Sequence, residues 1–196
     1  KIKALSILLS LILTLTLISL AVVLTLACKP LYYLDIHALH IPETTGYTIS
    51  EIKANYDAVI NYSLSFGNAP LEFPTFPMSE SGRINFKEVK NIFNLFKYMA
   101  IFGTLAGAVG ILRQRRKQSY GYLKLTAILT VSLPAVIGAT VALNWGWAFV
   151  TFHELAFNND HWLFDPATDP VINILPDAYF LHCAFMILVL VILGSI

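Results

Sequence analysis

Charged side chains are scarce in this chain, and the places where they are missing altogether set its class. Lys, Arg, Asp and Glu make up 13% of its 196 residues, about half the share of an ordinary soluble domain. Residues 4–28 (ALSILLSLILTLTLISLAVVLTLAC) hold none. Cysteine is scarce too: Cys28 and Cys183 both lie at or inside apolar runs, which argues against a disulfide framework. Neither CxxC nor HExxH spacing occurs, and G-x-S-x-G, Walker and dinucleotide-binding glycine patterns are missing, so the common zinc, serine-hydrolase and nucleotide signatures do not apply. Residues 148–177 contain no Lys or Arg, and neither polar stretch carries a nucleic-acid footprint. No internal repeat or low-complexity segment interrupts the chain.

What is present is long apolar sequence. Hydrophobic residues make up 57% and mean hydropathy is +0.67. Four runs, 4–28, 98–112, 125–149 and 178–196, stand out, against the about 20 residues that cross a ~30 Å hydrocarbon core. The sequence predicts a mainly α membrane protein with four transmembrane helices and a small extracellular α+β cap. The expected division is a first span over 1–28, the cap over 29–92, a second span over 93–112, a cytoplasmic loop over 113–120, a third span over 121–147, a second extracellular loop over 148–177 and a fourth span over 178–196. Topology follows from the basic residues. Arg113, Arg115, Arg116 and Lys117 form a short loop without acids, which the positive-inside rule puts in the cytoplasm. Lys1 and Lys3 favour the same side, so both termini are expected to be cytoplasmic. The ending TLAC resembles a lipoprotein signal, but the run exceeds a signal-peptide core of about 7–15 residues, and an uncleaved span is expected.

Within the cap, LYYLDIHAL alternates with period 2 and predicts an exposed strand. The next stretch places Ile52, Tyr56, Val59 and Ile60 on one helical face. Pro70, Pro74 and Pro77 then require extended or turned chain, and INFKEVKNIFNLFKY reads as an amphipathic lead into the second span. Pro134 and Gly138 predict a kink in the third span. Trp145 and Trp147 suit the outer interfacial belt, and Tyr120 and Tyr122 the inner one.

Reactive side chains concentrate in FHELAFNNDHWLFDPATDPVINILPD. It carries His153, Glu154, Asp160, His161, Asp165 and Asp169 among Phe152, Phe157, Trp162 and Phe164. Histidine is the side chain best matched to proton transfer near neutral pH, and an aromatic, partly dry surrounding would hold the apolar part of a lipid. The plainer reading is an interfacial aromatic belt with incidental polar groups. Zinc is the competing use of His153 and His161, but they stand eight residues apart with no metal motif, and no metal is expected. His37 and His40 read as surface residues of a strand, and His182 as a first-turn residue of the fourth span.

Three blocks, NYDAVINYSLSF (55–66), LEFPTFPMSESGRINFKEVKNIF (71–93) and FHELAFNNDHWLFDPATDPVINILPDAYF (152–180), resemble the lipoprotein intramolecular transacylase family of bacterial four-span membrane proteins. The resemblance implies an enzyme of the bacterial cytoplasmic membrane with its active site at the extracellular face. Its partners would be diacylglyceryl lipoproteins and membrane lipids, with no nucleic acid. The implied reaction moves the acyl chain at glycerol position two to the α-amino group of the lipid-bearing N-terminal cysteine, leaving a lyso-form lipoprotein. Ester to amide is downhill, so no cofactor is expected. Two histidines serve the reaction in the family pattern. One matches His153; the other falls in G-x-x-H-F-x-x-V-K, which this chain writes from Gly82 to Lys90 with Asn85 in the histidine's place. That departure implies an altered variant or base chemistry resting on His153 alone. Asn85 and Glu88 also read as a capping box for the helix leading into the second span. Phe152, Trp162, Phe164, Asp165 and Asp169 are the candidate substrate-binding residues, with either aspartate a candidate to orient His153. A non-catalytic lipid- or protein-binding module and an intramembrane metallohydrolase are the alternative readings.

Overall fold

A computed structural model describes residues 4–195. Lys1 and Lys3, used in the topology argument, and Ile196, the end of the fourth predicted span, lie outside them. The described residues form α1 (Ala4–Ala27), α2 (Lys29–Ala38), α3 (Ile41–Thr45), α4 (Ile49–Leu64), α5 (Glu80–Arg116), α6 (Gly121–Leu143), α7 (Trp145–Ala156), a 3-10 helix (Pro170–Ile174) and α8 (Asp177–Gly194). Helices α1, α5, α6 and α8 are long and apolar enough to cross a membrane. The chain divides into two compact units. Among the described residues one comprises 4–25, Leu95–Trp145 and 184–195, and the other Leu26–Asn94 and Gly146–Cys183.

In the spanning unit many of the buried side chains are small and polar. Ser6, Ser10, Thr14, Thr16 and Ser19 of α1 are at most 6% exposed; the first three recur at the i, i+4 spacing that keeps one helix face together, and Thr16 and Ser19 are an i, i+3 pair. Ser10 Oγ donates to the Tyr122 carbonyl at 3.1 Å and Gln114 Nε2 donates to Ser6 Oγ at 2.7 Å. A Cβ added at Gly103, Gly107 or Gly110 of α5 would run into Thr16, Leu13 or Leu9 of α1. Small residues let the two backbones approach closely, which is how helices associate where lipid removes the hydrophobic drive. Tyr120 is exposed, but Tyr122 is buried in this unit rather than placed in an interfacial belt. Helix α6 continues through Pro134.

The other unit has an apolar, aromatic core. Tyr32 of α2 stacks on Tyr56 of α4 with centroids 3.7 Å apart, and Tyr179 meets Tyr32 edge-on at 5.0 Å. Their polar ends are paired: Tyr32 donates to the Ile174 carbonyl at 2.5 Å, and the Tyr56 and Tyr179 hydroxyls lie 2.9 Å apart. Burial pushes the Tyr32 and Tyr56 phenols far above their usual range, so both stay neutral. The predicted face of α4 is buried at Ile52, Tyr56, Val59 and Ile60, and the helix starts at a Thr48–Glu51 capping box.

The α+β cap is corrected: among the described residues this unit is helical, with no strand. The alternation in LYYLDIHAL was coincident with a helical pattern. Tyr32, Asp35 and Ile36, spaced by 3 and 1, are the buried residues of α2, and Pro30 sits in its first turn, where its fixed φ and missing N–H favour a helix start. His37 therefore lies on a helix, and His40 precedes α3 with a left-handed φ of 52°.

Candidate active site

The segment from Gly82 to Lys90 opens α5, and each of its distinctive residues has a local task. Ser79 caps the helix: its Oγ accepts the Gly82 N–H at 2.9 Å, and its own N–H donates to Asp169 Oδ1 at 2.8 Å. A Cβ at Gly82 would collide with that carboxylate and come within 3.2 Å of Phe164, so glycine is required by close approach. Phe86 packs on Phe164 at 5.4 Å and on Phe73 at 5.8 Å. Lys90 is 5% exposed; its Nζ donates to Ser65 Oγ at 2.8 Å and to the Gly67 carbonyl at 2.7 Å, and lies 4.1 Å from the Tyr62 ring centroid. These partners satisfy a buried ammonium and tie the end of α4 to α5.

Asn85 is not a cap. Because α5 begins at Glu80, Asn85 falls in the helix interior and the expected Asn85–Glu88 capping box does not form. Its side chain is buried, 5% exposed, and Oδ1 has no hydrogen-bond partner. An unmet buried acceptor costs about 1–3 kcal/mol. Ser81, Asn85 and Glu88 share one face at i, i+4 and i+7. The two flanking residues engage the segment after α7: Ser81 Oγ and His161 Nδ1 share a hydrogen bond of 2.9 Å, and Asn159 Nδ2 donates to both Glu88 oxygens at 3.0 and 3.2 Å. Asn85 thus stands between two anchors of that segment, with an acceptor to spare.

His153 lies on α7, not in a loop; residues 148–156 continue the helical run that starts at Trp145. Its ring is surrounded by aromatic rings, with centroids at 4.1 Å to Phe149, 4.8 Å to Trp162, 5.2 Å to Phe152 and 5.7 Å to Phe157. Nδ1 lies 2.7 Å from the Phe149 carbonyl oxygen. A carbonyl only accepts, so Nδ1 carries the proton and Nε2 of the neutral ring has the free lone pair. Burial holds the imidazole below its ordinary value, an effect that the Phe149 hydrogen bond only partly offsets.

The two candidate orienting aspartates are occupied elsewhere. Asp165 Oδ1 accepts the Ala167 N–H at 2.9 Å in a local turn. Asp169, 2% exposed, accepts from Ser79 N–H and, through Oδ2, from Thr168 Oγ1 at 2.8 Å. The fold therefore brings Phe152 and Trp162 to His153, while Phe164 and Asp169 belong to the seat of α5. Beside Phe157 a cleft of about 240 Å³ opens among Glu88, Asn91, Ile92 and Ala156–Asn158. Among the described residues no three His, Cys, Asp or Glu side chains gather as a metal site.

Sequence reasoning passed over two groups of contacts. The Glu88–Asn159 and Ser81–His161 contacts were signalled only by the spacing of Ser81, Asn85 and Glu88 on one helical face. The second is Asp35, buried on α2, with both oxygens 2.9 Å from Nδ1 of the half-exposed His182 on α8. Asp35 drew no attention while its segment read as a strand.

These features define a membrane-integral helical protein with a basic residue in an aromatic pocket. Residues 7–180 match the family model for the lipoprotein intramolecular transacylase Lit, and the chain belongs to that family of membrane enzymes. It is similar to the in meso structure of the membrane-integral lipoprotein intramolecular transacylase Lit from Bacillus cereus, with TM-score 0.94 and 36% identity over 97% of this chain and 89% of that chain. Structures of the Bacillus cereus protein carrying a histidine-to-arginine or a histidine-to-alanine mutation match with TM-score 0.89 and 36% identity, over 97% of this chain and 85% or 87% of those. No curated protein matches.

Proposed function

We propose that this enzyme moves the acyl group from the glycerol sn-2 ester of a diacylglyceryl lipoprotein to the α-amino group of the same N-terminal cysteine. The amine nitrogen attacks the ester carbonyl, the C–O bond to glycerol breaks, and an amide and a free glycerol hydroxyl result. One proton leaves nitrogen and one arrives at the alkoxide oxygen, so a single base that takes and returns a proton balances the reaction. His153 Nε2 is that base. The observation that carries the reading is the Nδ1–Phe149 hydrogen bond, which fixes the tautomer that leaves Nε2 able to accept a proton. The depressed basicity keeps the ring neutral at pH 7.

Because amine and ester belong to one molecule, the protein's main contribution is geometry, for which well-placed intramolecular reactions reach effective molarities of roughly 10⁵–10⁸ M. Phe152 and Trp162 provide apolar surface for the glyceryl and acyl portions, and membrane lipids surround them. Asn85 Oδ1 accepts an N–H of the substrate amine, which completes its missing hydrogen bond. It cannot relay a proton, so this chain turns over more slowly than one with histidine there. The reaction occurs at the outer face of the bacterial cytoplasmic membrane, with both termini in the cytoplasm. A single cysteine at Gln118 is expected to resist an impermeant thiol reagent in intact cells lacking Cys28 and Cys183, and one at Asn61 to react.

The deciding experiment is mass spectrometry of a lipoprotein N-terminus after reaction with the purified protein. Conversion to the N-acyl lyso form is expected, slowed about 10²–10⁴-fold by His153→Ala, the usual yield of positioned proton transfer. Unchanged conversion in that variant would remove His153 from the mechanism, and unchanged substrate with the intact protein would leave a binding module.

A further inference from the structure

In the spanning unit, an apolar groove of about 590 Å³ runs between α1 and α5, within the 300–1,000 Å³ typical of ligand sites. Leu8 and Ile12 line one side and Phe102, Leu105 and Val109 the other, with Gly110 in the floor. The glycine is needed there, since a Cβ would strike Leu9. Every lining residue is apolar except one: Arg113, at the end where α5 approaches the basic loop.

We infer that this groove takes an acyl chain of an anionic glycerophospholipid, with the lipid's phosphate held by Arg113. An apolar groove with one guanidinium in its lining complements a molecule with a long apolar tail and one anionic head. Arg113 is exposed and presents a planar fork suited to two phosphate oxygens. From residue 113 to 124 there is no carboxylate to compete for it, while Arg115, Arg116 and Lys117 add to the local positive field. A zwitterionic head would bring its own cation into that field, so the site selects net negative lipid. Placing the lipid in the cytoplasmic leaflet rests on the proposed topology. The selectivity itself does not, and thiol labelling in cells tests topology separately.

The test is native mass spectrometry of the purified full chain in mild detergent with equimolar phosphatidylglycerol and phosphatidylcholine of matched acyl chains. The intact protein should retain phosphatidylglycerol in severalfold excess. Arg113→Gln should bring the two lipids to parity, Arg116→Gln should keep the excess, and Ala106→Phe, which fills the groove, should lower retention of both. sn-Glycerol 3-phosphate, a head without tails, should displace nothing. Equal retention of both lipids by the intact protein would overturn the inference. So would an excess that survives Arg113→Gln, retention that Ala106→Phe leaves undiminished, an excess that Arg116→Gln abolishes, or displacement by glycerol phosphate.

Discussion

The two units of this chain differ in the balance of what they bury. In the unit containing most of α1, α5, α6 and α8, the interior holds Ser10, Thr14, Thr130 and Gln114, while Leu8, Phe102, Leu105 and Val136 are more than half exposed. In the other, Tyr32, Ile36, Ile52 and Ile174 are fully buried. The inversion follows from the solvent. Against lipid, exposed leucine costs nothing, and association relies on close packing and hydrogen bonds. Against water, apolar burial is the main drive. Burial alone therefore says little about function here; buried polar groups left unpaired say more, and Asn85 is one of them. Ser10, Thr16, Ser19 and Gln114 all have partners, whereas Asn85 Oδ1 does not. The Thr25 and Thr126 hydroxyls and the Asn94 amide oxygen are also unpaired; each hydroxyl can rotate toward the carbonyl one helical turn back, and Asn94, nine residues on, falls on the opposite side of α5 from the face that carries Ser81, Asn85 and Glu88.

The largest effect is expected where that contrast is sharpest. Asn85→His should raise the rate of lyso-form production by about 10²–10⁴-fold, with little change in thermal stability. The gain should vanish with His153→Ala, because groups acting as a unit are non-additive. Asn85→Leu should stabilise the protein by removing the unmet acceptor while abolishing turnover. If Asn85→Leu leaves the rate unchanged, Asn85 is packing and the contrast between paired and unpaired polar groups has no functional content.

The next effect tests the inversion itself. Tyr56→Ala removes a stacked ring and leaves the Tyr179 hydroxyl without its partner, and should cost about 3–5 kcal/mol in unfolding. Leu8→Ala, on a lipid-facing surface, should cost close to nothing. Thermal unfolding in detergent compares the two, and equal losses would break the comparison.

The pH response is smaller and has a definite sign. The folded state holds His153 below its ordinary value, so as pH falls the unfolded chain takes up the proton first. Stability is therefore full above about 6.5, the ordinary histidine value, and declines as pH drops from there through the lower folded value. Turnover falls over the same interval as the base is protonated. Above it, the rate should rise again as the substrate amine, with a reference pKa of about 7.7–8.0, becomes nucleophilic. Unfolding midpoints and initial rates across this range check both, and His153→Gln should flatten the stability change.

How much was legible in the sequence varied with the physical signal. The spans stood out because long apolar runs, even the shorter one over 98–112, recur four times along the chain, and the face of α4 because four residues fixed one helical stripe. The alternation in LYYLDIHAL misleads because a short apolar run fits both periods, and the helix-start signal of Pro30 outweighs it. Asn85 was read as a cap because the local pattern Asn-x-x-Glu is sound in isolation; Ser79, held by Asp169 from 90 residues away, takes that position instead. The tautomer of His153 was out of reach, since it depends on α7 reaching past residue 149 so that a carbonyl one turn back faces the ring. Asp169 was legible as important, but its task, holding the N-terminus of α5, comes from a long-range contact that no spacing encodes.

The smallest effect closes the comparison from the other side. Thr130 Oγ1 donates to Thr14 Oγ1 at 3.3 Å between fully buried positions, the membrane counterpart of the Tyr56–Tyr179 pair. Thr14→Val preserves shape and removes the acceptor. Thr130 then turns its hydroxyl to the carbonyl of residue 126, one turn back on its own helix, so no donor is stranded. Interhelical hydrogen bonds of this kind average only about 0.6 kcal/mol, and the loss in unfolding free energy should be of that order. Gly107→Leu, which drives a side chain into Leu13, should be several times worse. If the two rank the other way, hydrogen bonding rather than close packing holds the spanning helices together, and the polar seam of α1 is the main support of the bundle.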